Sequence, residues 1–393
     1  MPSWRIPLSD VDLGKEEAEA VQRVLASGWL SMGQEVEQFE SEFAAMIGVR
    51  HALAVANGTA ALHLAMLTLG VKTGDEVVQP ALNFVAGANM TVAVGATPVF
   101  ADVVSPHEPL IDPVDVERCL TPRTRAVMVM HYGGYICDME AIQSICRQRG
   151  IAIIEDACHA VGAGAGGKKA GAMSDVGCFS FFSNKNMVTG EGGMVVTDSD
   201  DLAKRLRLFR SHGMTTLTWE RHQGHASSYD VLVNGFNYRF DEIRAAMGRA
   251  QLKKLLPNNT RRNALVAYYK SLLSDLPGVA VPFASYEGET ACHLMVALAS
   301  DGEARQRLVA ALHEAGIQTS MHYPLVTGFG GFSGVGRISS GGLPNSMDFA
   351  SRAFTLPLYP TMTFGDVEQV CSVIAAVLSQ DMGASPRASR ADS

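Results

Sequence analysis

The chain has 393 residues, 47% apolar and only 18% charged, enough to bury a sizeable core and too apolar for a disordered protein. With 32 Lys and Arg against 40 Asp and Glu, the net charge of −8 argues against a dedicated nucleic-acid binder. No apolar run approaches the ~20 residues of a membrane helix, and Asp10, Asp12, Glu16 and Glu17 occupy the stretch a signal peptide needs apolar, so a cytoplasmic location is expected.

In chain order, Ala18, Val21, Val24 and Leu25 share one face of a helix predicted over Glu16 to Trp29. Leu53 to Val55 reads as a strand, followed by a helix from Thr59 to Leu69 that stops at Gly70. Val77 and Val78 before Pro80 form a short strand, Val85 to Val94 a helix, and Pro98 to Ala101 an extended run. Ala126 to Met130 is apolar. Asp138 to Arg149 is helical, and Ile151 to Ile154, Cys178 to Phe182 and Met194 to Val196 are strands. Short apolar runs alternating with helices predict an α/β fold with a largely parallel sheet covered on both faces. Ser199, Asp200 and Asp201 start a helix to about Ser211. A polar loop, Thr215 to Asp230, carries Trp219, His222 and His225. Phe240 to Leu256 is helical, Pro257 interrupts, and Asn259 to Leu276 resumes.

From about Ala280 the pattern changes to strand His293 to Leu298, helix Glu303 to Ala315, strand Gln318 to His322 and helix Asp366 to Leu378. This predicts a large domain over 1–255, whose N-terminal segment packs on a smaller α+β domain over 256–380. A disordered tail follows over 381–393. The stretch Gly328 to Gly342 holds seven Gly and reads equally as a flap or as a surface insertion. The seven Cys are odd in number and widely spaced, with no Cys-x-x-Cys. They read as reduced thiols rather than a disulfide framework or zinc ribbon, and no structural metal is expected.

Parallel sheets bind ligands beyond the carboxyl ends of their strands, so residues just after the apolar runs matter most. Asn57-Gly58-Thr59 leaves a strand and opens a helix, where backbone N–H groups and a hydroxyl favour a phosphate; an ordinary turn capped by Thr59 is the competing reading. Glu155-Asp156 ends a buried strand, where an acid needs a cationic partner, from the protein or from a ligand. Lys185 lies 29 residues beyond Asp156, between an apolar strand and the turn Thr189-Gly190-Glu191-Gly192-Gly193, a setting in which a lysine amine becomes nucleophilic. Ser180 faces the same crevice in this reading. Phe84 offers a flat face to an aromatic ligand, although core packing is the commoner fate of a Phe. The Asn57-Gly58-Thr59 turn lacks the Walker and dinucleotide glycine spacings, and Phe182 stands where a Ser-x-x-Lys pattern ending at Lys185 would need Ser. Phosphate cup, anion, stacking face and amine together fit pyridoxal phosphate, whose ring nitrogen needs a carboxylate to stay protonated.

At this point the chain resembles the DegT/DnrJ/EryC1/StrS sugar aminotransferases, fold type I pyridoxal phosphate enzymes. The matching stretches include Ser27-Gly28-Trp29-Leu30, Asn57 to Leu64, Pro80 to Asp102, Ile154 to Ala160, Gly177 to Gly193, Gly235 to Leu252, His322-Tyr323-Pro324-Leu325 and Leu356 to Pro360. The resemblance covers about residues 5 to 378. It implies that Lys185 captures the cofactor aldehyde and shuttles the proton, that Asp156 pairs with the pyridine nitrogen and that His159 contacts the ring oxygen. It also implies that Phe84 stacks on the ring and that Gly58, Thr59 and Ser180 hold the phosphate. Asn237 or Arg239 of a second subunit would reach that phosphate, implying a homodimer with shared sites, and His322 and Trp29 would bind substrate. One departure is Ser183-Asn184 before the lysine, where relatives often carry Pro-Thr; the lysine itself disfavours the dehydratase branch. The expected reaction moves an amino group from glutamate or glutamine to a keto sugar, linked to dTDP, UDP or GDP, in antibiotic or surface-glycan biosynthesis. A keto-cyclitol acceptor and a non-catalytic cofactor-binding regulator are the alternatives.

Overall fold

The computed structural model describes residues 4–216 and 228–384. Eight strands build the main sheet: β1 (His51–Val55), β2 (Glu76–Pro80), β3 (Thr97–Ala101), β4 (Thr124–Met130), β5 (Ala152–Asp156), β6 (Val176–Ser180), β7 (Gly193–Thr197) and β8 (Arg337–Ile338). Their spatial order is β1-β7-β6-β5-β4-β2-β3-β8. β7 runs antiparallel to both its neighbours, and every other adjacent pair is parallel.

Alternation along the strands assigns the two faces. Leu53, Val55, Ala126, Met128, Ile154 and Cys178 pack with Leu62 and Leu64 of the helix Gly58–Thr68 and with Leu206 of the helix Asp200–Arg210. Their neighbours Ala52, Ala54, Val127, Val129, Ile153 and Phe179 pack with Phe39 and Phe43 of the helix Gln34–Ile47 and with Ile142 of Met139–Arg147. Both faces are therefore apolar and covered, the condition for near-continuous apolar strands. The helix Gln34–Ile47, whose Phe39 and Phe43 are fully buried, was not foreseen from the pattern.

A second cluster gathers Ile6, Leu265, Tyr269, Ala297, Leu308, Phe354 and Ile374. It lies about a three-stranded antiparallel sheet of Val279–Ala280, Met295–Ala299 and Ala353–Leu356, flanked by the helices Gly302–Glu314 and Phe364–Ala384.

The structure departs from the sequence expectations at four places. The helix Glu242–Leu273 runs unbroken through Pro257. Proline inside a helix costs about 3 kcal/mol. Burying Leu255 on one side and Leu265, Tyr269 and Leu273 on the other returns roughly 1.5–3 kcal/mol each, so the long helix wins. Gln318 to His322 is not a ladder strand; Ile317 and Ser320 make single bridges to Ile6 and Thr355. The Gly-rich stretch supplies the edge strand β8, and its Phe332 packs with Val326 and Leu343 against Phe100. The last helix extends to Ala384, into the stretch predicted as a disordered tail, while 385–393 lie outside the described residues. So do Trp219, His222 and His225 of the polar loop.

Candidate active site

The carboxyl ends of β4, β5 and β6 and the start of the helix Gly58–Thr68 open on a cavity of about 450 Å³. Gly58, Thr59, Phe84, Asp156, His159, Ser180, Lys185 and His322 all line it. Eight residues singled out along 265 residues of chain thus meet in one place.

The helix start settles which residue caps it. Asn57 Oδ1 accepts from the Ala60 N–H at 2.8 Å, so Asn57, not Thr59, is the N-cap. The N–H groups of Gly58 and Thr59 remain at the positive end of the helix, and the Thr59 hydroxyl is not consumed by capping. Gly58 sits so close to β6 that a Cβ there would lie 2.8 Å from Ser180 Cβ and 3.3 Å from Cys158 Sγ.

Asp156, the last residue of β5, is 6% exposed. Its Oδ1 accepts from the Cys158 N–H at 3.2 Å, and among the described residues no ion pair joins it to a cation. Lys185 follows β6 in a turn closed by its N–H to Phe182 O at 2.9 Å. Burial lowers the Lys185 pKa, opposed by the negative pull of Cys158 and Asp156, so the neutral amine is favoured more than in an exposed lysine. An amine biased toward its nucleophilic form and a buried carboxylate share one chamber.

Histidines form the opposite wall. Burial, with Lys185 and His322 nearby, holds His159 well below its usual pKa; burial and Lys185 push His322 down to about 4. Both are neutral at pH 7. His322 Nδ1 meets Thr355 Oγ1 at 2.9 Å, and His159 Nε2 meets the Tyr323 hydroxyl at 2.8 Å. Tyr323 also stands 5.9 Å from the Phe84 ring, so an aromatic pair rims the cavity. Phe84 is 55% exposed, which rules out the core-packing reading.

Three expected residues lie elsewhere. Trp29 follows the helix Lys15–Ser27 and rests against Gly33, outside the cavity lining. Asn237 is exposed and bridges Ser211, and Arg239 bridges Val55; neither lines this chain's cavity. Burial and the Arg210 charge lower the Arg239 pKa. Conversely, Asn83, Asn184, Glu191 and Tyr323 line the cavity without having been singled out as site residues. Tyr323 and Asn83 adjoin His322 and Phe84, so adjacency to a candidate was the one available signal.

A family model described as the DegT/DnrJ/EryC1/StrS aminotransferase family matches residues 11–375. The chain belongs to the DegT/DnrJ/EryC1/StrS aminotransferase family. It is therefore an aminotransferase of the pyridoxal-phosphate class with the fold type I architecture. Among its relatives is the spore coat polysaccharide biosynthesis protein SpsC of Bacillus subtilis (strain 168), 38% identical over 95% of this chain and 97% of that protein. Among solved structures, the aminotransferase TlmJ of Streptoalloteichus hindustanus superposes with a TM-score of 0.88 at 33% identity, covering 97% of this chain and 100% of TlmJ. DesV of S. venezuelae gives 0.88 at 35% identity, over 95% of this chain and 98% of DesV.

Proposed function

We propose that this family member transfers an amino group from glutamate or glutamine to the ketone of a nucleotide-linked sugar in surface-glycan or antibiotic biosynthesis. One observation carries the reading: a half-buried amine, Lys185, and a buried carboxylate, Asp156, face one cavity between a helix N-terminus and an exposed aromatic face. The name of SpsC supports a polysaccharide setting.

The residues present fit pyridoxal phosphate. Gly58 leaves a cradle that a Cβ would fill, with two N–H groups, Thr59 and Ser180 around it for a dianionic phosphate. Asp156, without a protein cation, suits a protonated ring nitrogen, and Phe84 suits the ring face. When bound, the cofactor supplies an electron-accepting ring and a carbon that carries the amino group. Asp156 would hold a proton at the ring nitrogen of the bound cofactor. Lys185, whose ammonium form burial disfavours, would take a proton at its Nζ from the donor carbon and later deliver one to the acceptor. His159 and His322, both neutral, add no charge to the wall facing the sugar.

We infer a homodimer in which Asn237 or Arg239 of a second copy completes the phosphate end. The reading is supported by their position off this chain's cavity and by exposed Tyr229, Val231 and Leu232 beside them, at 54%, 51% and 59%. Trp29 is assigned to substrate binding in the same assembly. A regulator without turnover is disfavoured by the match to an aminotransferase family over residues 11–375.

The test combines trapping with turnover. Borohydride reduction should fix pyridoxal phosphate to position 185 and nowhere else, and Lys185→Ala should lose both the label and amino transfer. The pyridoxamine-loaded protein should aminate a member of a dTDP-, UDP- or GDP-keto-sugar panel, with an inosose-type ketone as the competing acceptor. Label retained by Lys185→Ala would overturn the site, and amination of the cyclitol alone would overturn the sugar.

A further inference from the structure

Asn83 holds a hydrogen-bond donor that the protein does not use. The residue is 2% exposed and lines the cavity just beyond the end of β2. Its Oδ1 accepts from the Phe84 N–H at 2.6 Å, so the other amide atom is the nitrogen. Among the described residues no acceptor meets the buried Nδ2. A buried donor left unpaired is costly, and a ligand oxygen at this point would remove the cost.

A second set of donors begins beside it. The helix Ala86–Ala93 starts three residues later at Ala86, which also lines the cavity. No side chain caps this helix and no acid stands in its first turn, so its first N–H groups keep their positive partial charge. The Val326 N–H donates to Ala81 O at 3.0 Å, which ties the turn from Ala81 to Phe84 to the segment that follows Tyr323.

Strand order puts these donors at the end of the cavity away from the phosphate cradle. Ser180 ends β6, Asp156 ends β5, Met130 ends β4, and Asn83 follows β2. Three strand spacings, roughly 14 Å, separate Ser180 from the end of β2. In the reading above, the phosphate, ring nitrogen and ring oxygen of the cofactor already have Gly58, Asp156 and His159 as partners. The acceptor for Asn83 therefore belongs to a substrate. A sugar hydroxyl brings a proton that needs an acceptor of its own, and the Asn83 oxygen is already engaged. A carboxylate brings acceptors alone. Among the described residues Lys185 is the only lysine or arginine lining the cavity, and His159 and His322 are neutral, so uncharged donors must hold such a group.

We propose that Asn83, with the start of the helix Ala86–Ala93, binds the α-carboxylate of the amino donor, the acid group that glutamate and glutamine share. The inference rests on the pyridoxal phosphate reading above. It assigns Asn83 to the half of the reaction that loads the cofactor with nitrogen and not to the half that aminates the sugar.

Asn83→Asp tests this directly, because it keeps an oxygen for the Phe84 N–H and puts an acceptor where the donor was. Pyridoxal-phosphate-loaded protein is mixed with L-glutamate or L-glutamine, whichever converts the wild type, and formation of the pyridoxamine form is followed by absorbance in a single turnover. Calorimetry on the same protein measures binding of glutarate, a dicarboxylate with no amino group to transfer. Borohydride labelling at position 185 and the melting temperature are recorded in parallel. Asn83→Asp should raise the half-saturating amino-donor concentration about ten- to a hundredfold and weaken glutarate by a similar factor. Labelling, and binding of dTDP-, UDP- or GDP-glucose to the pyridoxamine-loaded protein, should change less than about threefold. If Asn83→Asp does not fold, Asn83→Ser carries the test with a loss of about three- to tenfold, since its shorter hydroxyl can still accept from the Phe84 N–H. Unchanged saturation by the amino donor, or a loss confined to the nucleotide sugar, would overturn the inference while the label at position 185 stays intact. Absence of that label from the wild type would instead overturn the cofactor reading.

Discussion

Glu155 and Asp156 are adjacent in the chain and do opposite work. Glu155 points away from the cavity, where its Oε2 accepts from the Gly171 N–H at 2.7 Å and meets His131 Nε2 at 2.9 Å. Its Oε1 accepts from the Met173 N–H at 2.8 Å. Strand alternation sends Asp156 to the other side, onto the cavity, with a single backbone N–H for company. One carboxylate is saturated by the protein and the other is left for a ligand. Glu155→Gln should therefore lower stability by about 2–4 kcal/mol with modest effect on cofactor affinity in the folded fraction. Asp156→Asn should leave the melting temperature of the cofactor-free protein nearly unchanged and cut amino transfer at least about a hundredfold. Thermal melts and steady-state rates on the two variants check the division; a swap of the two phenotypes would refute it.

The lowered pKa of Lys185 gives a pH dependence of definite sign. Only the neutral amine attacks an aldehyde, so capture of pyridoxal phosphate by the cofactor-free protein should speed up as pH rises. It should level off at a lower pH than for an ordinary lysine. Asp156 pulls the other way, so Asp156→Asn should move the profile further toward acid. Stability follows the same linkage. Between the folded and unfolded pKa of Lys185 the unfolded chain binds more protons, so this lysine makes stability rise with pH, and it costs most below the folded value. Lys185→Met should stabilise the cofactor-free protein at neutral pH and remove that part of the slope. Stopped-flow absorbance and denaturant titrations at several pH values measure both; a profile that shifts toward alkali in Asp156→Asn would contradict the electrostatics.

The cavity was legible because its chemistry sits at strand ends, where apolar periodicity stops and a polar residue stands out. Asp156, Ser180 and Lys185 are all such breaks. The cap was misjudged because Asn57 and Thr59 are both good caps, and only the backbone decides which one is first. The buried Asn186 contacts were invisible for a different reason: its partners Asn259 and Ala291 lie 73 and 105 residues away, and no local pattern encodes them. Pro257 misled because its local cost is real but smaller than the burial on either side of it.

Gly58 tests the phosphate end without touching an ionisable group. Alanine there would bring its Cβ to 2.8 Å from Ser180 Cβ, and that atom lies next to the backbone and cannot swing away as a long side chain could. Either β6 or the helix start must shift. Gly58→Ala should cost about 1–3 kcal/mol in stability and weaken pyridoxamine phosphate binding more than it weakens pyridoxamine binding. Equal losses for the two ligands, measured by fluorescence quenching, would mean that the helix start does not hold the phosphate.

The Gly-rich stretch separates into glycines that the fold requires and glycines that it tolerates. Gly336 has φ +91°, and a Cβ on it would sit 2.7 Å from Pro98 O, in the neighbouring strand β3. Just after it, β8 pairs Arg337 with Val99 and Ile338 with Phe100, and the Ser339 hydroxyl donates to Asp115 Oδ1 at 2.6 Å. Gly330 and Gly331 have open space around their Cβ positions and no left-handed backbone. Gly336→Ala should therefore cost about 1–3 kcal/mol and raise hydrogen exchange along β8. Gly330→Ala should be neutral or gain up to about 1 kcal/mol, because it restricts the unfolded chain without strain in the folded one. Denaturant midpoints of the two variants decide whether the stretch is an edge of the sheet or an appendage. Equal, near-zero changes would mean that β8 contributes nothing to holding β3.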